Sequence, residues 1–585
     1  MSNDGGARWR ALAALLRPDA GRWVILGVLV SLGAALALAG PLIVRRIVDS
    51  AAAGTTASAV VRLALAYLVV ALLTQAVAVV VVWHATIAAW RTTNELRVTM
   101  AAHVLGLDHE FHRRNTPGEL IQRVDGDVTS VSDFLGLVVP KALGALVLLL
   151  GMVGVLAVLD WRLAIGMLVY ICAALAVVVR SRHRAVAESA DEMGASARLY
   201  GGIEERLTAA EDLRALGAAT HVAWRFVEDS TAAMTSSIRR ERAFLAMWWM
   251  VQMAVAAGSV IALIVSGALV AAEVISIGTA FLLFQYILLI TRPLEDVVHQ
   301  LETVQKANGA MVRVLDLLAL QPTVIDVGSG GGATSPSPGP LSVEFAGVSF
   351  DYGDDAPVLR DVDLTLEAGR TLGVVGRTGS GKTTASRLVL RLVEATQGVV
   401  SLGGVPIDEI PLDELRRRVA LVPQEVELFA GSIRDNVTLF DDEPSEVAVV
   451  DALRRVGLDD LAISGIDRPL GAGGAGLSAG QAQLLAMARV WLRSPDVIVF
   501  DEATARIDPE TESRLDAAVT ELLRGRTAIV IAHRLTTLRA ADDIVVFSDG
   551  RIIEHGRRAD LLADDDSRFA ALLALSIDQF GSQAR

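Results

Sequence analysis

The chain has 585 residues, of which 52% are hydrophobic and 21% are charged. This composition is too apolar for an ordinary soluble protein and too charged for one that lies wholly in a membrane, so we expect a chain of two parts. The net charge is −14 and no basic stripe with interleaved aromatic residues occurs, which argues against nucleic acid as a partner. The single cysteine, Cys172, excludes disulfides within the chain.

Six stretches free of Asp, Glu, Lys and Arg come close to the roughly 20 helical residues that cross a bilayer core. They are residues 23–44, 63–90, 142–159, 163–179, 243–272 and 274–291. The shortest, 163–179, could also be a helix in a soluble core. No small-residue cleavage pattern follows the first stretch, so it is interpreted as a membrane helix and not as a signal peptide.

The connections between these stretches predict the orientation of the chain in the membrane. Those after the second and fourth stretches, residues 91–141 and 180–242, are long and rich in arginine, whereas the other three are short and carry few arginines. The positive-inside bias therefore places the long connections and both termini in the cytoplasm. Lysine occurs only at Lys141, Lys306 and Lys382, a bias typical of GC-rich bacterial genomes. We expect a multi-pass protein of the inner (plasma) membrane of a bacterium.

The long connections lack Gly/Pro breaks over most of their length, so we interpret them as helices that continue into the cytoplasm. Their tips, near 112–130 and 199–217, are expected to touch the C-terminal domain, although either could be a solvated hairpin. Residues 321–340 are rich in Gly, Ser and Pro and are interpreted as a flexible linker. The predicted domains are a six-helix transmembrane domain (1–320), this linker, and an α/β domain with a parallel sheet (341–585).

A glycine-rich loop follows the apolar run at 371–375, and its residues are Gly376, Arg377, Thr378, Gly379, Ser380, Gly381, Lys382, Thr383 and Thr384. Glycines let backbone N–H groups close around phosphate oxygens, and the N-terminus of the following helix adds its positive dipole end. Lys382 would neutralise the charge of the β- and γ-phosphates, and the Thr383 hydroxyl would ligate Mg²⁺. The loop therefore predicts that ATP and Mg²⁺ bind here.

A second apolar run, 497–500, ends in Asp501 and Glu502. Asp501 would hold Mg²⁺ through water, and Glu502 would be the general base that activates the attacking water. An apolar run that ends in two acids is a weak signal alone, since a strand can simply end in solvated acids. Its position after the phosphate-binding loop gives it weight.

The C-terminal half resembles the nucleotide-binding domains of ABC transporters. Leu477-Ser478-Ala479-Gly480-Gln481 is similar to the signature motif of that family and lies just before Asp501, as in the family. The resemblance implies an α/β P-loop NTPase domain. It also implies that the Ser478 hydroxyl and the Gly480 amide hold the γ-phosphate of an ATP bound to the opposite subunit of a dimer.

Further motifs extend the resemblance to nearly the whole chain. By resemblance, Gln424 would reach Mg²⁺ and the attacking water, His533 would contact the γ-phosphate, and Tyr352 would stack on adenine. The sequence of residues 428–436 is typical of the exporter branch. Residues 118–128 resemble the first coupling segment of exporter half-transporters. Such proteins combine an all-α membrane domain, whose six helices extend into the cytoplasm, with the ATPase domain.

The chain also departs from the family pattern. Ala479 replaces a signature glycine, Ala482 stands where arginine or lysine is usual, and Ala472 takes the place of a glutamate that relays nucleotide state to the membrane helices. The segment after the catalytic acid is 505–508, Ala-Arg-Ile-Asp, in place of Ser-Ala-Leu-Asp. These changes fall on elements that act across the dimer, so a heterodimer with a different half-transporter is favoured over a homodimer.

The predicted function is ATP-driven transport across the membrane by one subunit of an exporter, with lipids or amphiphilic small molecules as substrates. Two other functions stay open: an importer with an exporter fold, and a membrane protein that ATP gates or regulates. A soluble P-loop enzyme with a membrane anchor is excluded, because six spans with long cytoplasmic extensions exceed what anchoring needs.

Overall fold

A computed structural model describes residues 17–326, 328, 334–353, 356–471, 476–501, 509–532 and 537–581. The chain forms two compact units. The helical unit contains Met1–Gly106 and Thr116–Leu320, and the α/β unit contains Leu107–Asn115 and Gln321–Arg585.

Six helices of the helical unit, counted over the described residues, are long and apolar enough to cross a membrane. They are α1 (Ala20–Ala52), α2 (Ala57–Leu105), α4 (Pro117–Leu159), α5 (Trp161–Thr208), α7 (Ala219–Ala271) and α8 (Ile277–Ala319), with the short α6 (Ala210–Ala215) between α5 and α7. Two stretches of α4, Gln122–Asp127 and Phe134–Val138, are π-helical. The six predicted spans are confirmed. The predicted polar extensions are continuous helix, and α2 and α7 run to 49 and 53 residues.

The helical unit is held together by apolar stripes and a few charged pairs. On α1 the buried residues recur every fourth position from Leu26 to Leu38, which places them on one face. One hydrophobic core of this unit brings together side chains such as Met152 of α4 and Tyr286 of α8. In the extensions, Arg313 donates two hydrogen bonds to the buried carboxylate of Asp127, at 2.8 and 2.5 Å, and so ties α8 to α4.

The α/β unit begins with α3 (His109–Arg114), which the chain reaches between α2 and α4. Its further helices are α9 (Lys382–Val389), α10 (Leu412–Arg418), α11 (Ile433–Thr438), α12 (Glu446–Arg455), α13 (Asp459–Ser464), α14 (Ala479–Arg493), α15 (Pro509–Leu523), α16 (Arg558–Ala563) and α17 (Arg568–Gly581). A 3₁₀ turn covers Thr537–Ala540.

The strands of the α/β unit are β1 (Val343–Phe350), β2 (Leu359–Leu366), β3 (Thr371–Gly376), β4 (Gln397–Leu402), β5 (Val405–Pro406), β6 (Val419–Val422), β7 (Gly431–Ser432), β8 (Pro469–Leu470), β9 (Val497–Asp501), β10 (Thr527–Ile531), β11 (Asp543–Ser548) and β12 (Arg551–Arg557). Within the described ranges, the larger sheet has the order β12-β11-β3-β10-β9-β6 and is parallel except for β12. The order β2-β1-β4-β5 forms an antiparallel sheet, and β7 pairs with β8. The predicted α/β domain with a parallel sheet is confirmed.

The parallel sheet is buried on both faces. All five residues of β9 are buried. Val497 and Val499 join one hydrophobic core, whereas Ile498 and Phe500 join a second core on the opposite face. Side chains alternate along a strand, so a central strand covered on both sides reads as a continuous apolar run. This explains why the runs that end at the predicted site are uninterrupted.

Described residues at both ends of the Gly/Ser/Pro-rich stretch bond to the α/β unit. Arg391 donates to the Ile325 carbonyl at 2.8 Å, and the Asp326 carboxylate accepts from the Leu412 amide at 3.0 Å. On the other side of the stretch, the Ser335 hydroxyl donates to Glu414 at 2.5 Å. That residues 321–340 form a flexible linker stays a prediction, and most of the glycines on which it depends lie outside the described residues.

Candidate active site

The predicted site residues follow the carboxyl ends of neighbouring parallel strands. In the sheet, Ile531 at the end of β10 pairs with Asp501 at the end of β9, and Phe500 pairs with Val422 at the end of β6. Gly376 ends β3, which lies beside β10. The carboxyl ends of parallel strands meet at one edge, where α/β proteins bind ligands. The fold therefore brings the glycine-rich loop and Asp501 together, with the chain reaching Gln424 two residues after β6.

The glycine-rich loop depends on glycine for space as well as for backbone conformation. Gly376 has φ +152°, and a Cβ there would lie 2.4 Å from the Phe547 carbonyl oxygen. Gly381 has φ +105°, and a Cβ there would lie 2.6 Å from the Leu359 side chain. A larger residue at either position would push the loop away from the sheet. The loop leads directly into α9, whose first residue is Lys382, so the positive end of that helix faces the loop.

Lys382 is the cation of this loop and is only 6% exposed. Its Nζ donates hydrogen bonds to the carbonyl oxygens of Gly376 at 2.8 Å and Arg377 at 3.0 Å. Burial lowers the pKa of Lys382, and the nearby Asp501 carboxylate opposes that shift. The ammonium group is therefore held inside the loop that a phosphate group would enter.

The remaining loop residues differ in what they offer to a ligand. Ser380 is buried, and its hydroxyl has no hydrogen-bond partner among the described residues, so it is available to a phosphate oxygen. Arg377, Thr378 and Gly379 are exposed at the tip of the loop. A buried cation, a buried free hydroxyl and a helix N-terminus fit an oxyanion such as a phosphate group.

Two oxygen-bearing residues at this edge suit a divalent cation. Thr383 is exposed in the first turn of α9, and Asp501 is buried at the end of β9. Mg²⁺ takes oxygen ligands such as carboxylates, and in phosphate-binding loops the Ser/Thr hydroxyl as well. Thr384 has a different environment: it is buried, and its hydroxyl lies 3.3 Å from that of Tyr352, so it connects the loop to the predicted adenine platform.

The segment that follows Gln424 is held by a residue to which the sequence assigned no role. Gln424 itself is exposed. Asn436 is fully buried; its side chain accepts from the Phe429 amide at 2.8 Å and donates to the carbonyls of Phe429 at 2.9 Å and Ser432 at 3.0 Å. Arg489 of α14 donates to the Asn436 carbonyl at 2.7 Å and to that of Glu427 at 2.9 Å. The local sequence does not single out Asn436 for this role, because Ser432, Arg434 and Asp435 beside it are polar as well.

The predicted signature motif forms the start of α14. Ser478 caps this helix: its hydroxyl accepts from the Gln481 amide at 3.2 Å, and the Gln481 side chain accepts from the Ser478 amide at 2.9 Å. Gly480 is buried, and Ala479 is exposed as the first helical residue. Ala479 is not in the left-handed region, so alanine imposes no backbone strain there. The side chain of Gln481 is thus engaged in the helix cap.

Tyr352 lies after β1, where it packs against a hydrophobic core and its hydroxyl meets polar groups. Arg387 donates to the Tyr352 hydroxyl at 2.9 Å, and the Phe350 ring stands perpendicular to the Tyr352 ring at a centroid distance of 4.7 Å. The two other predicted catalytic residues, Glu502 and His533, lie outside the described residues, as do Ala472 and 505–508. Their chain neighbours Asp501 and Ala532 end β9 and follow β10 at the edge described above.

Comparisons with known proteins agree on one family for both halves of the chain. The ABC transporter transmembrane region matches residues 23–294, and the ABC transporter domain matches residues 359–505. An ATP-dependent lipid A-core flippase of Chromobacterium violaceum is 30% identical over 505 residues, which cover 84% of each chain. A multidrug efflux ATP-binding/permease protein of Mycobacterium tuberculosis is 30% identical over 79% of this chain and 39% of its own length.

A solved structure shares the fold along most of the chain. The structure of a bacterial Atm1-family ABC exporter with ATP bound superimposes with a TM-score of 0.80 at 24% sequence identity. The match covers 96% of this chain and 98% of that one.

Proposed function

The chain belongs to the ABC transporter family, and we propose that it is one half of an ATP-driven exporter of lipids or amphiphilic small molecules. One observation carries the proposal: a single chain joins six membrane-spanning helices to a parallel sheet whose edge presents a glycine-rich loop around a buried lysine. The substrate class is supported by the names of relatives, which are a lipid A-core flippase and a multidrug efflux protein. The mostly apolar spans suit such cargo.

The chemistry assigned to the site follows from the groups at the sheet edge. Lys382 and the loop Gly376–Thr384 hold the phosphates of ATP, and the γ-phosphate draws the Lys382 ammonium from the Gly376 and Arg377 carbonyls. Thr383, Asp501 and Gln424 would hold Mg²⁺, which neutralises developing charge on the phosphates when bound. Glu502 takes the proton of the attacking water, and His533 contacts the γ-phosphate.

We propose that the working unit is a dimer in which Ser478 and Gly480 of one chain face the ATP of the other. A heterodimer with a different half-transporter is the favoured form, because a homodimer would place Ala479 in both sites. Since Ala479 strains no backbone, its methyl group would act only on what faces the start of α14. The test compares ATPase rates of this chain alone and with a half-transporter encoded by a neighbouring gene. Robust turnover by a stable homodimer would contradict the heterodimer.

We further propose that the protein lies in the plasma membrane of a bacterium with both termini in the cytoplasm. The arginine-rich extensions of α2, α4, α5 and α7 support this orientation, because positive charge is retained on the cytoplasmic side.

The function is tested with the full chain in lipid nanodiscs. We expect Mg²⁺-dependent ATP hydrolysis that amphiphiles or lipids stimulate, together with ATP-dependent movement of the stimulating compound in sealed vesicles. The Lys382→Ala variant, purified in parallel, controls for contaminating ATPases. ATP binding without turnover in every assembled form would contradict transport and favour a regulatory role for ATP.

A further inference from the structure

The short helix α3 lies against the aromatic residue that is proposed to stack on adenine. The guanidinium carbon of Arg113 is 5.1 Å from the centroid of the Tyr352 ring and lies over that ring. The next residue, Arg114, donates to the Tyr352 backbone carbonyl at 3.0 Å. Both residues belong to the same compact unit as Tyr352, although α3 lies between α2 and α4 in the chain.

Arg113 is held over the ring by a second contact. It donates two hydrogen bonds of 2.8 Å to the Glu110 carboxylate, one turn earlier in α3. These hydrogen bonds, with a further one from Arg114, lower the pKa of Glu110, so the carboxylate remains charged. The Tyr352 ring is fixed as well, because its hydroxyl is bonded to Arg387 and lies near Thr384, and Phe350 stands against it. Both partners of the cation–π contact are therefore preorganised.

We propose that Arg113 competes with adenine for the face of Tyr352, so that nucleotide binding must displace this arginine. A planar base stacks in van der Waals contact with the ring, and a guanidinium group and a base cannot cover the same area. The inference rests on the proposed nucleotide site and extends it: Arg113 lowers the affinity for the base.

In the chain, the helix that carries Arg113 lies between two long helices of the helical unit. Gly106 and Leu107–Asp108 join α3 to α2, and Asn115–Thr116 joins it to α4. Arg113 is a positioning residue in this scheme, because it acts on Tyr352 and not on the phosphates.

The sign of the effect separates competition from ordinary electrostatics. ATP is an anion, so removal of a nearby cation would by itself weaken its binding. Competition predicts the opposite: Arg113→Ala should tighten ATP binding about two- to fivefold, because an exposed cation–π contact of ~0.5–1 kcal/mol no longer has to be broken. The measurement is calorimetric titration of the full chain in nanodiscs with ATP and without Mg²⁺, so that no ATP is hydrolysed.

Three comparisons complete the experiment. Arg114→Ala removes the same charge from the same helix and loses the same Glu110 partner, but it uncovers no ring, so it should not tighten ATP binding. Arg113→Ala should also cause no tightening in a Tyr352→Leu background, or towards inorganic tripolyphosphate, which has no base. Hydrogen exchange of residues 107–115 checks that α3 is retained.

The outcomes are decisive in each direction. Unchanged or weaker ATP binding by Arg113→Ala, equal tightening by Arg114→Ala, or tightening that persists without Tyr352 would each overturn the competition. If the parent chain fails to bind ATP, the proposed function itself is overturned, and the inference falls with it.

Discussion

Replacement of Asn436 by alanine tests how strongly this buried amide holds the segment after Gln424, to which Arg489 also bonds. The side chain makes three hydrogen bonds of 2.8 to 3.0 Å within the segment and is fully buried. Each such bond contributes about 1 kcal/mol net, and the partners of Asn436 would be left unpaired until water reaches them. Phe429, which supplies two of the partners, is exposed, so water replaces part of the loss. We therefore expect a local destabilisation of about 2–3 kcal/mol.

That free energy corresponds to a roughly 30- to 150-fold increase in local opening, since 1.4 kcal/mol is a factor of about ten. The assay is hydrogen exchange of the full chain read by mass spectrometry, in which peptides covering 425–437 should lose protection by this factor. Peptides covering 543–557 serve as the internal control, because they contain the paired strands β11 and β12 elsewhere in the sheet.

The Asn436→Ala replacement should change ATP turnover but not ATP affinity. ATP turnover at saturating ATP should fall, because Gln424 is no longer positioned, while ATP affinity without Mg²⁺ should stay unchanged, because the phosphate-binding loop follows a different strand. Asn436→Asp keeps the acceptor and the size but loses the donor, so it should destabilise as well. Unchanged protection of 425–437 in Asn436→Ala would refute the reasoning.

Three further predictions address the site and the membrane topology. Lys382→Ala should weaken ATP binding by about 10- to 100-fold, since at least one charge-assisted hydrogen bond of ~1.5–3 kcal/mol to phosphate is lost; unchanged affinity in titration would contradict the assignment. Glu502→Gln should retain ATP binding and lower hydrolysis about 10²- to 10⁴-fold, because only the proton acceptor is removed, and wild-type turnover in an assembled complex would exclude that role. In a background without Cys172, a cysteine near Asp160 should react with an impermeant reagent outside intact cells and one near Asn115 should not; the reverse pattern would invert the topology.

The membrane spans and the phosphate-binding loop could be predicted from the sequence because each is formed by one contiguous run of residues. A membrane helix satisfies its own backbone hydrogen bonds, so length and apolarity suffice to identify it. The loop at Gly376–Thr384 likewise carries its own constraints: Gly376 and Gly381 have backbone conformations and close contacts that favour glycine. The extension of the helices beyond the apolar stretches followed from the lack of breakers, and the structure has continuous helices there.

Other features were decided by contacts between residues far apart in the sequence. The pattern around 112–130 indicated a tip of a cytoplasmic extension, but only the tertiary structure assigns 107–115 to the α/β unit and brings Arg113 to Tyr352. The role of Arg489 also depends on partners 53 and 62 positions away. The packing of the whole unit decides which side chains become partners. Residues far apart in the chain meet only on folding, so a local residue pattern does not predict that they are in contact.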